Sequence, residues 1–277
     1  MEEANQSVAS EFIFNGLCDS RNLQKFLLLT FSALYLMTIL GNLFIVFLII
    51  TDSHLHSPMY FLLANLSFVD FCLSSVTTPK LTTDFLKDNK TISFEGCISQ
   101  ILCVHFFGGG EMVLLVSMAY DRYVAICKPL HYSSIMNRQK CIWLVLTSWI
   151  IGFVHATSQL AMILDLPFCG PRIVDSFFCD IPLVIKLACM DTHTLRLLIN
   201  ADSADGASKA LSTCTSHITV VVLFFGPCIF TYLWPPSITW VDKFLAVFYT
   251  VITPLLNPAI YTLRNKEIKN AIKRLIH

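Results

Sequence analysis

The sequence predicts an all-α membrane protein, a helical bundle with six clear spans. Three observations predict it. Hydrophobic residues make up 55% of the 277 residues and charged ones only 14%, whereas soluble domains carry about 25% charged residues. Mean hydropathy is +0.65. The apolar residues are also gathered into runs, and residues 26–50 contain no charge at all. A run of about 20 such residues crosses the hydrocarbon core. Backbone groups in lipid must be satisfied within the chain, so these runs are read as helices. Nineteen basic residues balance nineteen acidic ones, which leaves no case for a nucleic-acid partner.

In chain order, residues 1–25 read as an extracellular N-terminal segment, with Glu2, Glu3, Glu11 and Asp19 against Arg21 and Lys25. It lacks the basic start and small-residue cleavage site of a signal peptide, so the first span is expected to act as an uncleaved anchor. Asn5-Gln6-Ser7 is a glycosylation sequon. The spans are expected at 26–50, 58–79, 98–120, 141–160, 216–233 and 244–263, making one bundle over 26–263 without a soluble domain or repeat. Residues 264–277 read as a cytoplasmic amphipathic tail. Ile268, Ile272 and Leu275 share one face and lysines the other, suited to the inner leaflet.

Positive charge sets orientation. Arg122, Lys128, Arg138 and Lys140 follow the third span, and Arg264, Lys266, Lys269, Lys273 and Arg274 lie in the tail, so both regions should face the cytosol. The first intracellular loop, with Asp52, His54 and His56, holds no Lys or Arg. Six crossings conflict with this assignment, because they return a chain with an exterior N-terminus to the exterior. The stretch 192–214 offers only a short apolar patch at 195–199, broken by Arg196 and followed by Asn200, Asp202, Asp205 and Gly206. Something is absent there.

Asp70 and Glu111 fall at membrane depth, where ionisable groups are costly and face the bundle interior. Four cysteines, Cys97, Cys169, Cys179 and Cys189, fall in exterior loops, and the residues alone leave three pairings open. The other seven, Cys72 and Cys127 among them, read as free thiols. A channel or transporter is suggested only by Asp70 and Glu111, without the inverted repeats or broken helices of such folds. An enzyme finds no support, because His155 and His217 stand isolated and no metal-ligand spacing occurs. Gly108-Gly109-Gly110 looks like a phosphate loop but lacks the Lys-Ser/Thr that follows in such loops.

Six stretches carry a family resemblance. They are Gly41-Asn42; Pro58-Met59-Tyr60-Phe61-Leu62; Leu66-Ser67-Phe68-Val69-Asp70; and Met118-Ala119-Tyr120-Asp121-Arg122-Tyr123-Val124-Ala125-Ile126-Cys127-Lys128-Pro129-Leu130. Later come Ser208-Lys209-Ala210-Leu211-Ser212-Thr213-Cys214-Thr215-Ser216-His217 and Pro254-Leu255-Leu256-Asn257-Pro258-Ala259-Ile260-Tyr261. Together and in this order, almost end to end, the chain resembles the vertebrate olfactory receptors, a branch of the rhodopsin-like G-protein-coupled receptors. The resemblance implies a rhodopsin-like bundle, with six clear spans where the family has seven. Most of the fifth span and the third intracellular loop are absent, because 197–203 resembles the entry to that span and 208–212 the far end of the loop.

The resemblance also implies roles. Asn42, Asp70 and Asn257, joined by Glu111, would form a polar network holding a sodium ion or a proton. The alternative is a buried protonated pair that only tightens helix packing. Asp121-Arg122-Tyr123 would form the G-protein switch with Asn257, Pro258 and Tyr261, against the simpler reading of an interfacial charge cluster. Pro254 and Pro258 would permit kinks in the last span. The pairings would be Cys97–Cys179 and Cys169–Cys189. Val104, His105, Gly108, Gly109 and Met112, with Phe225, Ile229 and Tyr232, would line an apolar pocket for a small volatile ligand, against plain helix packing.

The implied partners are a small hydrophobic odorant, a heterotrimeric G protein of the stimulatory or olfactory type, and membrane lipid, with no cofactor beyond the sodium ion. The expected location is the plasma membrane as a multi-pass protein. Loss of one span favours the alternative of a non-signalling remnant held in the endoplasmic reticulum.

Overall fold

A computed structural model describes residues 11–164, 166, 168, 172–188 and 239–276. Asn5, Cys169, Cys189, His217, Phe225, Ile229, Tyr232, the stretch 192–214 and the expected span 216–233 lie outside the described residues, as does the side chain of Tyr261.

Among the described residues, five helices are long and apolar enough to cross a membrane. They are α1 (Arg21–Thr51), α2 (Pro58–Asp84), α3 (Phe94–Cys127), α5 (Arg138–Leu164) and the last span. Between α3 and α5 lie a 3-10 turn and the short α4 (Tyr132–Ile135). The helices outrun the apolar stretches because polar residues cap and extend them. Ser93 accepts from the Gly96 N–H at the start of α3, with Glu95 in its first turn. At the other end α3 continues through Asp121-Arg122-Tyr123 to Cys127.

The last span is built from α7 (Thr239–Val247), a π turn (Phe248–Ile252) and α8 (Thr253–Arg264). The wide turn precedes Pro254, which has no N–H to give. The Thr253 hydroxyl donates to the Phe248 carbonyl at 3.2 Å there. Past Asn265 the chain turns into α9 (Lys266–Ile276).

The central helices are α2 and α3. Over the apolar windows, 56% of α2 and 50% of α3 is buried, against 28% for α1 and α5. The outer faces of α1 and α5 present Phe26, Leu29, Ile50, Trp143, Ile150 and Phe153. Such faces suit lipid, which solvates them as well as a core would. The inner half is filled by a cluster that includes Leu62, Leu63, Leu66, Leu114, Leu115 and Met118.

At the N-terminal end of α3 lies a small sheet that the hydropathy pattern does not reveal. β1 (Glu11–Phe14) lies between β2 (Thr91–Ser93), antiparallel, and β3 (Ile173–Val174), parallel. Phe12 and Phe14 alternate inward and are 1% and 3% exposed, which ties the N-terminal segment to the loops that carry β2 and β3.

Candidate functional site

The loop 172–188 covers the end of the bundle that bears the sheet, among the described residues. Cys97 on α3 is bonded to Cys179 of this loop, and the Gln100 carboxamide oxygen accepts from the Cys179 N–H at 2.8 Å. These two ties fix Asp180, the next residue, which also caps the short α6 (Ile181–Ile185). Its Oδ1 accepts from the Ile181 N–H at 2.8 Å and its Oδ2 from the Tyr249 hydroxyl at 3.1 Å. Nearby, Asp175 accepts from Lys243 at 2.8 Å and from Asn15 at 3.1 Å. The Lys243 contact holds the Asp175 carboxyl below its ordinary range. One residue thus links the N-terminal segment, the loop and the last span.

Below this lid sits His105, 8% exposed. Its Nδ1 is 3.4 Å from Nε2 of His155 on α5, so His155 is not isolated, contrary to the expectation from sequence. The reason is that α3 and α5 cross here, bringing residues 50 positions apart into contact. His105 Nε2 lies 3.5 Å from Asp180 Oδ1, yet it makes no hydrogen bond. His155, His105, Asp180 and Tyr249 thus lie in succession, with one gap between His105 Nε2 and the Asp180 carboxyl.

The other expected pocket residues divide. Val104 is buried beside His105. A Cβ at Gly108 would meet nothing within 4 Å among the described residues. Gly109 instead meets Gly152 at 3.3 Å and His155 at 3.4 Å, which makes it a helix contact. Met112 packs against the inner core.

At mid-depth, the Asn257 amide donates to Asp70 Oδ1 at 3.0 Å, Asp70 Oδ2 at 3.1 Å and Glu111 Oε1 at 3.2 Å. Asp70 and Glu111 have no exposed surface and Asn257 has 2%. Asn42 does not reach these carboxyl groups by a hydrogen bond. Its amide donates to the Thr38 carbonyl and to the Pro254 carbonyl, each at 3.0 Å. Pro258 explains this, because a proline leaves the carbonyl four residues before it without its helical donor. Glu111 Oε2 and Asn42 Oδ1 are buried without a partner.

At the far end of α3 from Cys97, Asp121 accepts from the Tyr132 hydroxyl at 2.8 Å. Its hydrogen-bond partner is thus Tyr132, outside the motif, and not the neighbouring Arg122. Arg122 is half-buried and Tyr123 exposed. The tail helix also departs from expectation. Ile268 and Ala271 are 1% and 2% exposed and pack into the inner core with Ile272, while Leu275 stays outside. The apolar face of α9 is therefore spent mostly on the bundle, with less of it left for lipid.

Two polar contacts hold α9 there. The Tyr60 hydroxyl donates to Asn265 at 2.9 Å, and Arg274 donates through Nη2 and Nε to Asp52 Oδ2 at 2.6 and 3.0 Å. Arg274, with help from the backbone and ring of His54, lowers the Asp52 carboxyl to about 2. Its folded value lies below its ordinary one, so this contact stabilises docking above about pH 4 and is lost as pH falls toward 2. Arg274→Ala should lower the amide protection factors across residues 266–276 at neutral pH, and acidification toward pH 2 should lower them in the native chain, each relative to the intrinsic exchange rate at that pH. Unchanged protection in both would show that α9 is held by apolar packing alone.

The model of the olfactory receptor family matches residues 31–195 and 192–277. Olfactory receptor 4K15 of Homo sapiens is 58% identical over 301 residues, covering 99% of this chain and 93% of the relative. The chain belongs to the olfactory receptor family. Olfactory receptor 4K14 of Homo sapiens is 56% identical over 302 residues, covering 99% and 97%. Olfactory receptor 4F4 of Homo sapiens is 55% identical over 294 residues, covering 97% and 96%. As an olfactory receptor the chain is a multi-pass helical membrane protein of the G-protein-coupled class and not an enzyme. Each of these aligned lengths exceeds the 277 residues of the receptor, so the relatives carry residues that it lacks. The two family matches meet at residues 192–195.

Proposed function

We propose that this receptor binds a small hydrophobic odorant beneath the loop 172–188 and passes the binding event to a heterotrimeric G protein of the stimulatory type. The observation that carries the reading is the reach of the last span. Tyr249 holds Asp180 at the outer end, Asn257 holds Asp70 and Glu111 at mid-depth, and α8 leads into α9 at the cytosolic end. A ligand that favours one arrangement of this helix shifts the cytosolic face through differential affinity for the two states. Asp121, Arg122 and Tyr123, with Asn257, Pro258 and Tyr261, would serve as the switch.

Two buried carboxyl groups call for a neutralising proton or cation. Asp70, Glu111 and Asn42 offer oxygen donors suited to a hard cation, and the unpartnered Glu111 Oε2 and Asn42 Oδ1 fit that role. A sodium ion or a shared proton at this level would set the resting state. Glycosylation at Asn5 and a second disulfide, Cys169–Cys189, complete the proposed exterior.

A second reading is favoured by the meeting of the family matches at 192–195 and by the surplus length of the relatives. The absent residues would be the fifth span and most of the third intracellular loop. The product would then be a non-signalling remnant retained in the endoplasmic reticulum, not a plasma-membrane receptor. A tag after His277, stained with and without permeabilisation, separates the two. Surface protein whose tag needs permeabilisation, together with odorant-evoked cAMP, supports the receptor. A tag exposed outside, or protein confined to internal membranes, supports the remnant.

A further inference from the structure

The pocket reading leaves the chemical class of ligand open, and one buried group narrows it. Histidine at 8% exposure normally satisfies both ring nitrogens. His105 Nδ1 faces His155 Nε2 at 3.4 Å. Its Nε2 has no hydrogen bond, although a buried carboxylate oxygen of Asp180 stands 3.5 Å away. The carboxylate selects the tautomer with hydrogen on Nε2, because two facing acceptors repel.

A donor and an acceptor thus face a common point. An oxygen about 2.9 Å from the nitrogen and about 2.7 Å from the carboxylate closes a triangle on that 3.5 Å edge at ordinary hydrogen-bond lengths. Such an oxygen must accept from His105 and donate to Asp180. A hydroxyl does both. A carbonyl or ether can only accept, and a hydrocarbon does neither.

We propose that the receptor recognises a hydroxyl-bearing ligand, an aliphatic alcohol or phenol, whose oxygen bridges His105 Nε2–H and the Asp180 carboxylate. The inference rests on the reading that a ligand binds beneath the loop. Asp180 is a fixed acceptor, pinned by the Ile181 N–H, by Tyr249 and by the adjacent Cys97–Cys179 bond. One turn deeper on the same face of α3, a Cβ at Gly108 would meet nothing within 4 Å among the described residues, and the proposal places the apolar body of the ligand there.

The test uses the full chain in lipid nanodiscs, titrated with hexanol, hexanal, hexane and hexylamine and followed by its unfolding temperature. Hydrogen bonds to charged groups contribute enough for hexanol to bind at least about tenfold more tightly than hexane, with hexanal between. His105→Phe and Asp180→Asn should each bring hexanol to within about threefold of hexane measured on the same variant. Equal binding of hexanol and hexane to the native chain would overturn the hydroxyl inference and leave the pocket standing. Preference for hexylamine would overturn it too, with Asp180 acting as a lone anion. Binding of none of the four would overturn the pocket reading itself.

Discussion

Receptor carrying Gly152→Leu is expected to yield no monodisperse protein in detergent, and Gly152→Ala a folded but weakened one. A Cβ at Gly152 would lie 2.6 Å from the Phe106 carbonyl oxygen, 2.9 Å from the Gly110 nitrogen and 3.3 Å from the Gly110 Cα. All three atoms are backbone, so no side chain can swing aside and α3 must move away from α5. Overpacking of this kind costs about 1–3 kcal/mol for a small addition and more for a large one. Small residues at such crossings let helix backbones approach where lipid removes any hydrophobic gain. Gly108→Ala is the control, because its Cβ meets nothing within 4 Å among the described residues. Fluorescence-detected size exclusion and thermal unfolding read the result. A Gly152→Leu receptor as monodisperse and stable as the native one would refute the crossing.

Asn257→Leu is the second large effect. It removes the donor shared by Asp70 and Glu111 and leaves both carboxyl groups buried without it. Removing one partner from a buried polar set costs about 3–5 kcal/mol, a loss on the order of 10 °C in unfolding temperature for a chain of this size. Replacing Asp70 and Glu111 by leucine in the same background should restore much of the loss, because no polar group is then stranded. A native unfolding temperature in Asn257→Leu alone would show that the network carries no structural role.

Much of this architecture is legible in the sequence, because the hydrocarbon core imposes a one-dimensional rule. About 20 apolar residues make a span, and the runs beginning near Phe26, Pro58, Ile98 and Cys141 each lie within an observed helix, while the run beginning near Phe244 covers α7, the π turn and α8. Charge at membrane depth was equally visible at Asp70 and Glu111. The groups that do not advertise themselves are those whose partners are distant in the chain. His155 looks isolated until α3 and α5 cross. Asp52 looks uninformative until Arg274 reaches it, 222 residues later. Phe12 and Phe14 sit in a polar segment and turn inward because the strands at 91–93 and 173–174 offer edges to pair with.

By itself, then, the sequence determined the membrane bundle, the family and the presence of buried acids, since hydropathy, charge and motif are properties of short segments. Which polar groups meet was decided by tertiary structure alone. Asn42 serves the carbonyl freed by Pro258 and makes no hydrogen bond to Asp70; Asp121 pairs with Tyr132; α9 spends its apolar face on the bundle. Each outcome depends on helix rotation and crossing, and a hydrogen bond near 3 Å is set by those rotations, which no local pattern encodes.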